Sequence, residues 1–86
     1  MKIVWDEIKR QANIKKHSLD FAVLDDEFFQ HALLRPAKHG RLKAIGLLES
    51  GVIAVIFVTL GTEGLSVISM RPASRHERSL LDEQGI

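Results

Sequence analysis

The sequence predicts an α+β fold with two N-terminal helices, an antiparallel meander of three or four strands and a C-terminal helix. Three observations predict it. The first third carries apolar residues at helical spacing behind capping residues, the middle consists of apolar runs separated by turns, and the last segment opens on a capping-box pattern. The chain has 86 residues, of which 45% are hydrophobic and 27% charged, so we expect residues 1–86 to form a single domain.

The first predicted helix runs from about Asp6 to Lys16. Asp6 is placed to cap it, and Trp5, Ile8 and Ala12 recur at helical spacing. This pattern predicts that Trp5, Ile8 and Ala12 form the apolar face of the helix.

The second predicted helix is shorter and lies in "SLDFAVLDDEFF". Asp20 offers the cap, and Phe21, Leu24 and Phe28 follow at i, i+3 and i+7. The acids of this stretch are spread around the other face, as expected for a solvated helix surface.

The strands are predicted where the period of the apolar residues changes. "HALLR" fits a short strand and "RLKAIGLL" a longer one, while "VIAVIFVTL" is apolar enough for a strand that is buried on both faces. "LSVISM" alternates in polarity as far as Met70, and the intervening "ESG" and "GTEG" predict turns.

The closing helix is predicted from near Arg75 to near Gly85. Pro72 stops the last strand, and Ser74 stands three residues before Glu77, which is the capping-box arrangement.

Positive charge is concentrated at the start of this helix, because Arg71, Arg75, His76 and Arg78 lie within eight residues. Cations in a first turn oppose the helix dipole, whereas an anion there is favoured by the dipole, the free amides and the guanidinium groups. We therefore predict a phosphate site. Further basic residues suggest a polymer of phosphates: Lys38, Arg41 and Lys43. The alternative is a solvated face on which Arg75 and Arg78 pair with acids such as Asp82.

Composition excludes several other classes. The chain has no cysteine, its longest apolar run is too short to cross a bilayer, and its N-terminus has no apolar signal core, so a cytoplasmic protein without a membrane segment is expected. The four histidines lack metal-ligand spacing, and we expect no metal site and no cofactor. His17 and His76 are candidates for proton transfer, with a structural role as the alternative for each.

Three motifs resemble one family. "WDEIKRQANIKKHSLDF" resembles the opening W-D-x-x-K-x-x-x-N-x-x-K-H-G-x-x-F of the BrnT toxins, "RLKAIG" their R-x-x-x-I-G strand, and "VISMRPASRHE" their closing I-I-S-x-R-x-A-x-x-x-E motif. The resemblance implies a ribonuclease toxin of a type II toxin–antitoxin system, with a fold similar to the RelE ribonucleases. It also implies a BrnA-like antitoxin that occludes the toxin in a heteromeric complex, for which a 2:2 heterotetramer is one arrangement. DNA would be bound only indirectly, through the antitoxin.

The resemblance and the charge pattern together give the candidate site. Matching motif positions are occupied by Lys16, His17, Arg41, Arg71 and Glu77, and the charge pattern adds Lys43, Arg75 and His76. We expect His17, Arg41, Arg71 and Glu77 to be catalytic. Lys16, Lys43, Arg75 and His76 are expected to bind RNA phosphates.

The predicted activity is metal-independent RNA cleavage that inhibits translation and growth. In the reaction, arginines hold the scissile phosphate while a 2′-hydroxyl of the RNA attacks it. Glu77 is either an acid/base group or only half of the capping box. The alternative function is a non-catalytic module that binds an antitoxin and takes part in DNA-bound autoregulation. It is supported by the low net charge of +1 and by the absence of a family tyrosine late in the last helix and of an arginine after the central strand.

Overall fold

The chain forms one five-stranded sheet with three α-helices, in a computed structural model that describes residues 1–85. In chain order the elements are β1 (Lys2–Trp5), α1 (Glu7–His17), α2 (Asp26–His31), β2 (Leu33–Pro36), β3 (Leu42–Leu48), β4 (Gly51–Leu60), β5 (Gly64–Pro72) and α3 (Arg75–Glu83). Single turns of 3₁₀-helix lie at Phe21–Val23 and Lys38–Gly40. The strand order is β1-β5-β4-β3-β2, with β1 parallel to β5 and every other pair antiparallel.

The α+β class and the order of the predicted elements are confirmed, and β2–β5 form an antiparallel meander of four strands, but the prediction is incomplete because the sheet has a fifth strand. The sheet is mixed because β1 joins it in parallel, with Lys2 opposite Gly64 and Trp5 opposite Val67. This strand has no clear signal in the sequence, because it is only four residues long and adjoins a capped helix. The helical spacing therefore groups Trp5 with α1, although Trp5 lies in the strand.

The predicted apolar face of α1 is also wrong. Asp6 does cap the helix by accepting from the amides of Ile8 and Lys9, but Ile8 is 81% exposed and Ala12 is exposed as well. Trp5 lies in β1 and packs edge-to-face on Phe21 at 6.3 Å between ring centroids. Only Asn13 is buried on this helix, so α1 is held to the sheet by a polar residue.

The second predicted helix is divided in two. The Asp20 carboxylate caps the 3₁₀ turn Phe21–Val23, and Asp25 then caps α2 by accepting from the Phe28 amide. Leu24 and Asp25 both have extended backbone, which interrupts a continuous helix. The apolar positions were nevertheless identified correctly, because Phe21, Leu24 and Phe28 are all buried.

Helical elements pack against both faces of the sheet. The core face packs against the 3₁₀ turn and α2 and contains Ala44, Val55, Phe57 and Met70. The opposite face, here called the α3 face, contains the buried Ile45 and Ala54. Both faces of β4 are covered from Ile53 to Val55, as the apolar run predicted.

A β-bulge in β5 decides which face its last residues occupy. Phe57 pairs with Val67 and Ile56 pairs with Ser69, so Ile68 is the extra residue. Alternation is therefore shifted by one position, which places Met70 in the core and Arg71 on the α3 face. The predicted alternation through "LSVISM" fails at this point.

Candidate active site

The centre of the candidate site is the carboxylate of Glu77 in the first turn of α3. Ser74 and Glu77 form the predicted capping box: the Ser74 hydroxyl accepts from the Glu77 amide at 3.1 Å, and Glu77 Oε1 accepts from the Ser74 amide at 2.8 Å. Only 4% of the Glu77 side chain is exposed. A buried carboxylate requires partners for its charge.

Two cations from the sheet are those partners. Arg71 donates Nη1 to Oε1 of Glu77 at 2.7 Å and Nη2 to Oε2 at 2.9 Å, and Lys43 Nζ lies 2.8 Å from Oε2. Arg71 pairs with Ala54 and Lys43 with Ile56, which are two residues apart on β4. The two cations consequently point to the same face of the sheet, beneath α3.

These contacts shift the pKa values of Glu77 and Arg71. The hydrogen bond from Arg71 holds the pKa of Glu77 well below its usual range, with smaller contributions from Lys43 and the Ser74 amide, against an opposing effect of burial. The same hydrogen bond raises the pKa of Arg71. One carboxylate faces two cations, so the cluster keeps a net positive charge, and 38% of the Arg71 side chain remains exposed.

The remaining predicted site residues form no bond with this cluster. Lys16 is exposed and His17 half-buried at the end of α1, Arg41 is half-buried just before β3, and Arg75 and His76 are exposed on α3. Within residues 1–85, none of these five side chains forms an ion pair or a side-chain hydrogen bond.

The alternative of paired surface arginines is not observed. In the described part of the chain, neither Arg75 nor Arg78 forms an ion pair with Asp82 or another acid. The structure therefore joins Arg71, Lys43 and Glu77 into one cluster and leaves the cations of the first turn of α3 facing solvent.

The sequence analysis missed two residues of this region. Arg35 on β2 is paired with Lys43 and therefore shares the α3 face; the polar position in "LLRP" was its only signal. Asn13 links α1 to β5, since its Oδ1 accepts from the Met70 amide at 3.0 Å and its Nδ2 donates to the Leu19 carbonyl at 2.9 Å. The available signal for Asn13 was its match to the asparagine of the motif in "WDEIKRQANIKKHSLDF".

Among residues 1–85, no group of three or more histidine or carboxylate side chains comes together as a metal site would require. No helix in the described range is long and apolar enough to cross a bilayer.

The fold and the cluster define a class of protein: a small α+β domain that presents cations on one sheet face beside the start of a helix. A family model described as "Ribonuclease toxin, BrnT, of type II toxin-antitoxin system" matches residues 5–77. The chain belongs to this BrnT family of ribonuclease toxins, which confirms the resemblance found in the sequence motifs.

A solved structure agrees with the family assignment. The 1.1 Å crystal structure of the Brucella abortus ribonuclease toxin BrnT is 59% identical to this chain, with a TM-score of 0.80, and the match covers 87% of this chain and 99% of the Brucella chain. A comparison with curated proteins gives no match.

Proposed function

We propose that this chain is a metal-independent endoribonuclease that cleaves RNA in the cytoplasm and thereby inhibits translation and growth. The observation that carries the proposal is the forked contact of Arg71 with Glu77 beside Lys43, at 2.7–2.9 Å. A guanidinium held in this way has a fixed orientation, and 38% of the Arg71 side chain is exposed, which suits it to a phosphate group.

The proposed reaction is attack of the RNA 2′-hydroxyl on the adjacent phosphorus, with cleavage of the bond to the 5′-oxygen of the next nucleotide. Arg71 and Arg41 hold the phosphate and stabilise the charge that develops on its oxygens, while Lys43 adds a further positive charge. A base takes the proton of the 2′-hydroxyl, and an acid gives one to the departing 5′-oxygen. His17 and His76 are the candidates for these transfers, and Lys16 and Arg75 bind neighbouring phosphates.

Glu77 fits a positioning role better than proton transfer. Its lowered pKa keeps it ionised at neutral pH, so it has no proton to donate, and Arg71, Lys43 and the Ser74 amide already occupy its oxygens. We therefore assign Glu77 the role of holding Arg71 and Lys43 in place.

The proposed partner is a BrnA-like antitoxin, since the family is described as part of a type II toxin–antitoxin system. The antitoxin forms a heteromeric complex with the toxin, with 2:2 as the proposed stoichiometry, and carries the contacts to DNA. RNA is the substrate of the free toxin.

A second candidate function is a non-catalytic module that binds the antitoxin. Glu77 neutralises part of the cluster, and the chain contains no tyrosine at all, so the late tyrosine of the family is absent. Only a cleavage assay separates the two candidates.

The test is cleavage of a labelled RNA by the purified chain in the presence of EDTA. We expect the wild type and a Lys9→Ala control, changed at an exposed position of α1, to cleave the RNA. Arg71→Ala should reduce cleavage by about a hundredfold or more while its circular dichroism spectrum stays native. Full activity of folded Arg71→Ala would disprove the role of Arg71, and an inactive, folded wild type would favour the binding module.

A further inference from the structure

A strip of aliphatic side chains on the α3 face lies beyond the part of the sheet that α3 covers. Val4, Ile56 and Val58 are half-buried, and Leu60 is 49% exposed. These four side chains lie on the same face of the sheet. Val4 and Val58 both pair with Ser66, and Ile56, Val58 and Leu60 are every second residue of β4. We call these four residues the aliphatic strip.

Cations border the strip on one side. Lys43 is paired with Ile56, and Arg35 is in turn paired with Lys43. Arg41 precedes Leu42, whose partner Phe57 is next to Val58, so Arg41 lies on the same face as Lys43. The aliphatic strip and the candidate active site are therefore two parts of one continuous surface.

At its other end the strip opens into a cleft of about 930 Å³. Val4 and Leu60 line this cleft together with Lys2 and the turn between β4 and β5. The strip thus combines an apolar surface, a recess at one end and positive charge along one side.

We propose that the aliphatic strip and its bordering cations are the docking surface for an acidic, amphipathic segment of the antitoxin. The inference rests on the proposed function, which supplies the antitoxin as partner. Aliphatic side chains of the segment would cover Leu60 and Val58, and its carboxylates would face Arg41 and Arg35.

Two observations favour a protein segment over RNA on the strip. Bases bind to protein mainly by stacking on aromatic rings, yet all five aromatic residues of this chain belong to the core or pack against it: Trp5, Phe21, Phe28, Phe29 and Phe57. In addition, Glu77 demonstrates that a carboxylate fits the cations of this face, with contacts of 2.7–2.9 Å. An acidic segment on this surface would compete with RNA phosphates for Arg41 and would block access to Arg71.

The test compares two leucines of nearly equal exposure on opposite faces. Leu60→Gln alters the aliphatic strip, whereas Leu34→Gln alters a leucine on the core side of β2 that is 48% exposed. The affinity of each purified toxin variant for the full-length cognate antitoxin is measured by calorimetry. Its affinity for RNA is measured by fluorescence anisotropy on a labelled 2′-O-methyl single strand, which lacks the attacking 2′-hydroxyl and is not cleaved. Circular dichroism checks that both variants are folded.

We expect Leu60→Gln to weaken antitoxin binding by about tenfold, since half a leucine side chain loses its apolar contact, and to leave RNA binding unchanged. Leu34→Gln should change neither affinity, and RNA should not bind to the toxin once the antitoxin is bound. Equal effects of both variants on antitoxin binding, loss of RNA binding in Leu60→Gln alone, or a ternary complex with RNA would each overturn the proposal.

These affinities, taken together with the RNA cleavage assay in EDTA, separate this inference from the proposed function. A toxin that cleaves RNA but shows no binding of the antitoxin overturns the docking surface and leaves the nuclease standing. A toxin that binds the antitoxin through Leu60 but cleaves no RNA supports the docking surface and overturns the nuclease.

Discussion

Glu77 shows how one side chain can serve both the fold and the candidate site. Its carboxylate closes the capping box of α3 and binds Arg71 and Lys43, so the start of α3 is joined to two strands. The capping box could be recognised in the sequence because it depends on a spacing of three residues. The contacts with Arg71 and Lys43 could not, because they depend on sheet register.

The pH dependence of stability should reflect this carboxylate. The pKa of Glu77 is lower in the folded than in the unfolded chain, so its contribution is fully present above the ordinary value of 4.5 and is lost as the pH falls below it. Between pH 7 and pH 3, urea denaturation should show a larger loss of unfolding free energy for the wild type than for Glu77→Gln, by about 1–3 kcal/mol. Glu83→Gln, on the exposed side of α3, is the control and should behave as the wild type. Parallel pH profiles for all three proteins would contradict the assigned role.

Ser18 adopts a backbone conformation that is unfavourable for a residue with a side chain. It follows His17 at the end of α1 with φ 58° and ψ 29°, a left-handed conformation in which a side chain is disfavoured. Ser18→Gly should therefore raise the free energy of unfolding by about 1 kcal/mol, measured by urea denaturation. Ala12→Gly, inside the same helix, should lower it by about 1 kcal/mol. A destabilised Ser18→Gly variant would show that the serine side chain contributes a contact that outweighs this strain.

At the scale of elements, the predictions succeeded where a local signal was sufficient. The cap at Asp6, the capping box of α3 and the doubly buried centre of β4 all follow from short-range patterns. The predictions failed where the outcome depends on a partner strand. A parallel edge strand such as β1 has no turn signal, and its partner β5 is about sixty residues away in the chain.

The candidate site, too, was predictable only where a local signal was sufficient. The basic residues near the start of α3 could be identified from charge alone, but strict alternation from Val67 would have directed Arg71 into the core. The bulge at Ile68 places Arg71 on the α3 face instead. The residues of "SVISM" do not predict this bulge, because a bulge is defined by the pairing with β4. The grouping of Arg71 with Lys43 was thus beyond the reach of sequence patterns.

Deletion of Ile68 together with Ser69 should consequently disrupt both the core and the site. Continuous pairing with β4 would then set Met70 opposite Ile56 on the α3 face and Arg71 opposite Val55 on the core face. Burial of a charged side chain costs several kcal/mol, so we expect the double-deletion variant to lose its cooperative thermal transition in circular dichroism. Deletion of Ile68 alone removes the bulge but leaves Met70 opposite Val55 and Arg71 opposite Ala54, so this control should unfold cooperatively with a smaller loss of stability. A double-deletion variant that melts like the wild type would contradict the assignment of Arg71 and Met70 to opposite faces by register.

For the molecule as a whole, the uneven distribution of charge matters more than the net charge of +1. Cations collect on and around the α3 face, whereas Asp20, Asp25, Glu27 and Glu49 line a separate cleft of about 920 Å³ between α2 and the β3–β4 turn. Because opposite charges lie on different sides, the molecule has an electric dipole, which steers an approaching polyanion toward the candidate site. A low net charge is therefore compatible with RNA binding.

The affinity of the free toxin for RNA should accordingly fall with salt concentration, and the steepness of the fall gives the number of phosphates that its cations neutralise. If Arg41, Arg71 and one first-turn cation of α3 each neutralise a phosphate, the logarithm of the association constant should fall with the logarithm of salt concentration with a slope of about −2, since a single strand contributes about −0.7 per phosphate. Anisotropy titrations with Arg41→Ala should give a slope smaller in magnitude by about 0.7, whereas Lys9→Ala, at an exposed position of α1, should leave the slope unchanged. A slope near zero for the wild type, or one that Lys9→Ala lowers as much as Arg41→Ala does, would mean that RNA is held by diffuse charge instead of by the α3 face. The measurement thus tests whether the separation of charge across the fold is what selects the binding surface.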